Sequence, residues 1–373
     1  MTKLHNPFQF GKPVKGEFYF PRKELSTVVE NFLDGRIHVV LMGPRRFGKT
    51  SFVLNLLKSQ EAKKKTCLYL DIFNITSHRD FLQQLLRGLR EKKGLWQNFI
   101  DKVKTVKPQL SIDLGQGDSN VNLSLDASSG KDVKELIQDV LAELHTLGDE
   151  VIVVIDEFQK VAEINDDHWL EATLRSYMQS LSNTSFLFTG SRKSLISDMM
   201  HNSARPFYRS GQIIEFPALG PEFTNWIIER FKEVDIQADS GAIDHLRAMV
   251  QDTPNYVQMA CFHLVANGVE NIDKRDVDII LETIVKQNAY AYQTLLNTLT
   301  LPQQRALRLC AKESEQIYAK DLRQKYEIPT GAALASAVNA LKEKQIIDES
   351  AAKGRVQFDD PLFAIWLKTE FPD

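Results

Sequence analysis

The sequence has few cysteines, and they are far apart. Only three occur among 373 residues, Cys67, Cys261 and Cys310, and none forms a CxxC pair. Disulfide frameworks and cysteine-rich zinc sites need paired or closely spaced thiols. The cysteine usage therefore argues against both kinds of site and fits a reducing compartment.

Long apolar runs and an excess of charge are also missing. No apolar run approaches the roughly 20 residues that a membrane-spanning helix needs, and the first ten residues lack the pattern of a signal peptide. The balance of 46 Lys and Arg against 49 Asp and Glu gives a net charge of −3. This excludes a protein that binds nucleic acid through bulk positive charge. We expect a cytoplasmic protein with no membrane partner and two or three domains.

Short apolar runs alternate with helical patterns in the first part of the chain. The runs of strand length are 37–42, 67–71, 151–155 and 185–189. Such an alternation predicts an α/β domain with a parallel sheet, which would cover residues 1–218. Two segments of alternating polarity with a glycine-rich loop between them predict a β-hairpin inserted at 107–130.

The pattern changes after residue 218. Residues 222–299 have helical periodicity with breaks at turn residues, which predicts a helical lid domain over 219–298. Residues 299–373 contain three helical patterns and two short strand patterns. Three helices and a two-stranded wing are typical of a winged helix-turn-helix domain.

One segment after the first apolar run fits GxxxxGK[ST] in full. We expect its residues to bind a nucleotide, and they are Gly43, Pro44, Arg45, Arg46, Phe47, Gly48, Lys49, Thr50 and Ser51. A strand pattern precedes the motif and a helical pattern follows it, which is the context a P-loop requires. Backbone N–H groups at the helix N-terminus favour phosphate. Lys49 would reach the β- and γ-phosphates of ATP, and the Thr50 hydroxyl would ligate Mg²⁺.

A second motif follows the most apolar run. Residues 151–155 end at Asp156 and Glu157, which therefore lie at the carboxyl end of a strand, where ligands of open α/β sheets bind. Asp156 is predicted to hold Mg²⁺ together with Thr50. Glu157 is predicted to act as general base toward the attacking water.

Further polar residues lie beyond the next two strands. Thr189 ends the run at 185–189 and Ser191 follows two residues later, and either could sense the γ-phosphate or simply close the strand as a turn residue. Arg205 and Arg209 precede the last strand, and an arginine there could contact the γ-phosphate in its own or a neighbouring subunit. We prefer Arg209 to Arg205, and the alternative of a surface arginine paired with a carboxylate stays open.

The motifs together resemble those of the prokaryotic STAND-type ATPases of the AAA+ superfamily, in the MNS-like "archaeal ATPase" group. The resembling segments are 43–51 with the form GPRRxGKTS, 153–159 with a DEFQ-type second motif, 189–191, 206–209 and 360–367 with the form DPxFxxWL. The resemblance covers nearly the whole chain. It implies ATP or ADP binding, slow hydrolysis and use as a regulatory switch.

The resemblance also implies contacts that the residues alone do not indicate. It implies that Phe8 and Arg22 lie near the adenine, although the segment at Phe20 lacks the glycine usual in the family. It implies a nucleotide-sensing turn of the form G-x-P in the helical domain. Here that turn reads Asp252-Thr253-Pro254, with Pro254 as the contact.

The partner of the winged helix stays open between DNA and protein. Residues 300–373 contain 11 basic and 11 acidic residues, whereas phosphate-binding modules concentrate Lys and Arg. The recognition helix of the helix-turn-helix, within 330–344, is rich in alanine, which favours close packing against a protein partner or another part of the chain. The positive excess lies elsewhere, in residues 1–65, with 13 basic and 5 acidic residues.

Three functional hypotheses follow. The first is a Mg²⁺-dependent ATPase that acts as a nucleotide-driven conformational switch. The second is a regulatory module that holds ADP or ATP without hydrolysis while its winged helix docks DNA or protein. The third is a DNA-associated motor or defence component that forms a nucleotide-dependent oligomer.

Overall fold

Five strands of the described part form one parallel sheet. The strands of the chain are β1 (Val39–Met42), β2 (Thr66–Asp71), β3 (Leu110–Leu114), β4 (Val121–Leu125), β5 (Val151–Asp156), β6 (Thr184–Gly190) and β7 (Gln212–Glu215), followed by four short strands described below. The sheet has the order β2-β5-β6-β1-β7, and each adjacent pair is parallel. The predicted parallel α/β sheet is thus confirmed. β6 lies between β1 and β5, so residues at its end lie between the first two motifs.

The computed structural model describes residues 6–91, 96, 110–114, 121–125, 130–164, 168–313, 316–349 and 356–372. Within them, the predicted hairpin is formed by the antiparallel pair β3 and β4, whose connecting loop lies outside the described residues. No helix of the described part has the length and apolar character needed to cross a membrane.

The chain divides into two compact units. The sheet unit consists of Pro21–Pro44 and Gly48–Pro217, and the helical unit consists of Met1–Phe20, Arg45–Phe47 and Ala218–Asp373. Each unit has its own hydrophobic core. The division into an ATPase, a lid and a winged-helix domain stays a prediction.

Helices connect the parallel strands of the sheet unit, as right-handed crossovers between such strands require. They are Lys49–Ala62, His78–Arg90, Gly130–Glu143, Lys160–Glu163, Trp169–Ser180 and Lys193–His201, and a further helix, Lys23–Asp34, precedes β1. The helix His78–Arg90 shows why these segments fold locally. Ser77 caps its first turn by accepting the Asp80 N–H, and apolar side chains repeat along one face and are buried.

The helical unit contains eight α-helices in its described part. They are Glu222–Lys232, Ser240–Met249, Pro254–Ala266, Lys274–Asn297, Leu301–Lys312, Lys320–Lys325, Gly331–Glu343 and Pro361–Glu370. Two parallel two-residue strands, β8 (Gln237–Ala238) and β9 (Asn271–Ile272), were not predicted. The wing consists of β10 (Ile347–Glu349) and β11 (Val356–Phe358), which pair antiparallel.

Most element boundaries differ from the predicted ones by one or two residues. β1 begins at Val39, because Ile37 is exposed and lies in the turn before the strand. The first wing strand begins at Ile347. Gln345 has a φ of 58°, a left-handed conformation that ends the preceding helix and cannot continue into a strand.

Candidate functional site

The phosphate-binding motif forms a tight loop between β1 and the helix Lys49–Ala62. Gly48 caps this helix with a φ of 89°, a conformation that glycine adopts without strain. A side chain at Gly43 would place its Cβ 2.6 Å from the Cβ of Phe216, so only glycine allows this approach. Ser51, in the first turn, is buried. The loop therefore presents a helix N-terminus of the kind that binds phosphate.

Lys49 lies inside the loop. Its Nζ donates hydrogen bonds of 2.8 Å to the backbone oxygens of Gly43 and Pro44, and the side chain is buried. A buried ammonium needs such partners, because an unpaired buried charge is costly. The same two carbonyls hold the cation at the site where a phosphate anion would be cradled.

Asp156, at the end of β5, is the centre of the site. Thr50 Oγ1 donates to its Oδ2 at 2.6 Å, and Tyr69 Oη donates to the same oxygen at 2.7 Å. Thr189 Oγ1 donates to the other carboxylate oxygen, Oδ1. The Glu157 N–H also donates to Oδ1, with 3.1 Å between nitrogen and oxygen. The buried carboxylate is thus surrounded by hydrogen-bond donors from four positions of the sheet unit.

Tyr69 is a residue that sequence reasoning missed. It lies on β2, two residues before Asp71, which is paired with Asp156 across the sheet. Burial and the charge of Asp156 raise the pKa of the Tyr69 phenol, so its hydroxyl stays protonated and remains a donor. Only the register between β2 and β5 brings Tyr69 to the site, and no local motif contains that information.

Glu157 adopts a left-handed backbone conformation, with a φ of 59°. Ser191 Oγ donates to its Oε2 at 3.1 Å, and Gln159 Nε2 donates to the same oxygen. Gln159 is 2% exposed, and its Oε1 has no hydrogen-bond partner among the described residues. It fits there because Gly190 lacks a Cβ, which would lie 2.3 Å from that Oε1. Gln159 is thus a second residue whose role was not predicted.

The two sensor candidates contact different carboxylates. Thr189 is fully buried and donates to Asp156, whereas Ser191 donates to Glu157. The backbone joins the same two segments, since the Phe158 N–H donates to the Thr189 oxygen at 2.8 Å. The end of β6 therefore holds both acidic residues of the second motif.

The two arginine candidates have different surroundings. Arg205 forms an ion pair with Glu171, with 2.8 Å between Nη2 and Oε1, and the Glu171 side chain is 1% exposed. Arg209 is exposed, has a φ of 51°, and places its guanidinium 5.1 Å from the ring of Tyr208. Arg205 is therefore committed to a structural pair, whereas Arg209 is exposed to solvent.

The two predicted adenine contacts lie in different units. Arg22 donates to the Pro217 oxygen at 2.5 Å and stacks 4.3 Å above the ring of Phe216, which borders Gly43. Phe8 is 2% exposed and packs 4.7 Å from Phe231 in the core of the helical unit. In this conformation its ring serves as a core side chain.

The tip of the phosphate-binding loop belongs to the helical unit. Arg46 donates to the Tyr256 hydroxyl at 2.6 Å and lies over its ring, and Phe47 is buried. Burial and the charge of Asp360 raise the pKa of Tyr256. Arg45 forms an ion pair with Asp359, with 3.9 Å between Nη1 and Oδ2. The tip thus contacts a residue in the first turn of the helix Pro254–Ala266 and a residue just before the helix Pro361–Glu370.

Pro254 is the first residue of its helix, where its missing N–H and restricted φ are tolerated. Gln251 and Asp252 before it both have a φ of 52°. Asp252 stands where the resembling family has glycine, the residue that most readily adopts this conformation. A bidentate pair with Arg247, at 2.7 and 3.1 Å, holds Asp252 there.

The oxygen atoms of Thr50 and Asp156 fit a magnesium site. Mg²⁺ prefers hard oxygen ligands and is usually held by one or two protein groups together with phosphate oxygens and water. A hydroxyl and a carboxylate 2.6 Å apart, beside a phosphate-binding loop, are ligands of this kind.

Comparisons with known proteins agree with this geometry. Residues 22–245 match a family described as an ATPase domain predominantly from Archaea. Residues 290–369 match one described as a probable winged helix domain. An uncharacterized ATP-binding protein of Methanocaldococcus jannaschii is 23% identical over 201 residues, 51% of this chain and 55% of that protein. The chain thus spans about half the length of the curated relative it matches.

Solved structures with this fold include two archaeal proteins. A Walker-type ATPase of Pyrococcus abyssi matches with a TM-score of 0.66 at 20% identity, over 95% of this chain and 97% of that chain. The ORC2 protein of Aeropyrum pernix, in ADPNP and ADP complexes, matches with a TM-score of 0.56 at 17% identity. The match covers 95% of this chain and 96% of that chain. At these identities the likeness concerns the fold alone, and it confirms the predicted fold class.

The family match at residues 22–245 covers more than half of the chain. It contains the phosphate-binding loop, Asp156, Glu157 and both sensor candidates. The chain therefore belongs to the P-loop ATPase-domain family found predominantly in Archaea, and a winged helix domain follows that domain.

Proposed function

We propose that the protein is a Mg²⁺-dependent ATPase that acts as a nucleotide-driven switch, of the STAND or MNS-like kind. One observation carries the catalytic part of this proposal. Asp156 accepts a hydrogen bond from the P-loop residue Thr50. The carboxylate of the next residue, Glu157, accepts hydrogen bonds from Gln159 and Ser191. Metal ligation and proton acceptance are thereby assigned to adjacent side chains beside the phosphate-binding loop.

The residues divide the work as follows. Lys49 exchanges its two carbonyl partners for phosphate oxygens and neutralises charge on them. Thr50 and Asp156 hold Mg²⁺, which would offset the negative charge of the phosphates. Both bonds to Glu157 fall on Oε2, which leaves Oε1 to accept a proton from the attacking water.

The switch is supported by the tip of the phosphate-binding loop. Gly43 and Pro44 belong to the sheet unit, whereas Arg45–Phe47 belong to the helical unit. Because Arg45–Phe47 are covalently continuous with Pro44 and Gly48, a nucleotide that reorders this loop would also move them. The Arg46–Tyr256 contact is the specific bond on which the change would act. Replacing Arg46 with alanine is expected to keep ATP binding and to abolish nucleotide-dependent protection of 254–266 from hydrogen exchange.

The direct test of hydrolysis is phosphate release from ATP by wild-type and Glu157→Gln protein. The variant keeps the shape of the side chain and removes its basic oxygen. We expect normal ATP binding and turnover reduced by two orders of magnitude or more. Lys49→Ala is the matched control, in which binding itself is weakened. Equal turnover in Glu157→Gln and wild type would remove Glu157 from its assigned role.

The alternative is a module that retains ADP and does not hydrolyse ATP. It predicts that purified protein keeps ADP through dialysis and releases no phosphate from ATP, with or without Mg²⁺. Turnover that depends on Glu157 would exclude it.

A protein partner is favoured over DNA for the winged helix. The exposed positions of the helix Gly331–Glu343 are Ala332, Ser336, Asn339 and Glu343. Ser336 and Asn339 can donate to a base edge, but these exposed positions carry no positive charge and Lys342 is half-buried, whereas a DNA-recognition helix also needs cationic donors to phosphates. ATPase assays with double-stranded DNA across a salt series test this. Salt-sensitive stimulation would indicate DNA, and its absence would support a protein partner.

Arg209 is the proposed arginine for contact with the γ-phosphate, because it is exposed while Arg205 is paired with Glu171. Contact with a neighbouring subunit would require an oligomer. Sizing the protein with ATP and with ADP distinguishes this from contact within one chain. An Arg209→Ala variant that is monomeric and fully active would exclude both.

A further inference from the structure

The acceptor positions of Asp156 are all in use. A carboxylate offers about four lone-pair positions, two on each oxygen. Thr189 Oγ1 and the Glu157 N–H occupy those of Oδ1, and Thr50 Oγ1 and Tyr69 Oη occupy those of Oδ2. A metal ion, or a water molecule bound to it, needs one of these positions. One donor must therefore leave before Asp156 can serve a metal site.

Three of the four donors are poorly placed to leave. Thr189 is fully buried on β6, between the two neighbouring strands. The Glu157 N–H belongs to the backbone next to Asp156 itself. The Thr50 hydroxyl can keep its hydrogen bond to Asp156 while a lone pair of the Thr50 oxygen ligates the metal, since a hydroxyl has one proton and two lone pairs.

Tyr69 is the remaining donor. Its side chain is half-buried, so its hydroxyl can exchange the carboxylate for water, and the exchange costs the net worth of one hydrogen bond to a charged acceptor. Tyr69 lies outside both nucleotide-binding motifs. Its hydroxyl lies 2.7 Å from Oδ2, the oxygen that also accepts from Thr50. A metal ligand that reached Oδ2 would therefore compete with the Tyr69 hydroxyl.

We propose that Tyr69 is a positioning residue that fills the metal-side acceptor position of Asp156 and withdraws when Mg²⁺ and nucleotide bind. The Tyr69 hydroxyl thereby sets the affinity for Mg²⁺ without touching the nucleotide. It keeps Asp156 fully hydrogen-bonded in the absence of metal. This inference rests on the proposed Mg²⁺-dependent nucleotide binding.

The test is the Mg²⁺ dependence of ADP binding in Tyr69→Phe, which removes the hydroxyl alone. We expect ADP affinity in EDTA to stay within twofold of wild type. Mg²⁺ is expected to strengthen ADP binding, and the Mg²⁺ concentration that gives half of this effect should be about tenfold lower in the variant. A tenfold change corresponds to the free energy of one hydrogen bond to a charged acceptor. Electron paramagnetic resonance of Mn²⁺ with ADP should give the same ratio.

Two further variants keep the result interpretable. Tyr177→Phe removes a phenol that donates to the Gln138 backbone oxygen at 2.9 Å in the same unit, and it should bind metal like wild type. Tyr69→Leu also lacks the hydroxyl and should behave like Tyr69→Phe. Thermal unfolding of each variant verifies that it is folded.

The outcomes separate the inference from the function on which it rests. Unchanged or weaker Mg²⁺ affinity in Tyr69→Phe, with normal Mg²⁺ dependence in wild type, overturns the inference alone. Wild-type protein that binds ADP equally well in EDTA and in Mg²⁺ overturns the proposed function and the inference with it.

Discussion

Thr189 offers the sharpest test of how the second motif is held. Thr189→Val preserves size and β-branching and deletes only the hydroxyl that donates to Asp156. Removing a buried hydrogen bond to a charged group costs about 1.5–3 kcal/mol. Three other donors still satisfy Asp156, so we expect the lower part of that range, about 1.5–2 kcal/mol. For a unit of about 190 residues, this lowers the melting temperature by about 3–8 °C.

The assay is calorimetric unfolding of nucleotide-free protein in EDTA, followed by ADP and ATP binding with Mg²⁺. Because Thr189 contacts a protein carboxylate, its loss should affect the free protein and change ATP and ADP binding by similar factors. Thr189→Ser is the matched control, because it restores the hydroxyl and should recover most of the lost stability.

The opposite pattern would refute this reasoning. If Thr189 is instead a γ-phosphate sensor, Thr189→Val would melt like wild type and would selectively lose affinity for ATP over ADP. That result would mean that the hydroxyl turns from Asp156 to the nucleotide, and that its bond to Asp156 contributes little to stability.

Three further predictions concern the same unit. Ser191→Ala should lower turnover about five- to tenfold with unchanged Mg²⁺·ADP affinity, because Glu157 loses one anchor; steady-state kinetics and ADP titration measure the two effects. Gly43→Ala should lower the free energy of unfolding by about 1–3 kcal/mol in urea titrations, because its Cβ would lie 2.6 Å from that of Phe216; wild-type stability would contradict this close approach. Burial lowers the pKa of His38, so the unfolded chain takes up a proton at higher pH than the folded one, and stability is lost as the pH falls below about 6.5. Melting temperatures from pH 7.5 to 5.5 should fall less in His38→Asn than in wild type, and parallel curves would remove His38 as the cause.

The parallel sheet was predictable because buried strands have a strong local signal. The four strand-length apolar runs correspond to β1, β2, β5 and β6. The pair β8 and β9 was not predictable, since two residues are too few to show periodicity. Their pairing depends on the helices that bring residues 237 and 271 together.

The phosphate-binding loop and the acidic pair were predictable for a related reason. A P-loop is a contiguous motif whose strand and helix context can be verified along the chain. The position of Tyr69 could not be predicted in this way, and for Gln159, the last residue of the DEFQ-type motif, the contact with Glu157 could not. Tyr69 reaches Asp156 through strand register, and Gln159 reaches Glu157 through a left-handed turn at Glu157 itself.

The turn before Pro254 departs from the G-x-P pattern of the resembling family, yet its first residue has a left-handed backbone conformation of the kind that glycine adopts. Asp252 has the positive φ that suits the glycine of the resembling family. A non-glycine residue held there is strained by about 1–3 kcal/mol, and aspartate is among the residues that tolerate the region best. Arg247 offsets this cost by binding both carboxylate oxygens of Asp252 and two backbone oxygens before the helix Glu222–Lys232. At this turn aspartate therefore replaces the glycine of the pattern, and the ion pair with Arg247 holds the aspartate in the left-handed conformation. That pair can be identified only from contacts in the folded structure.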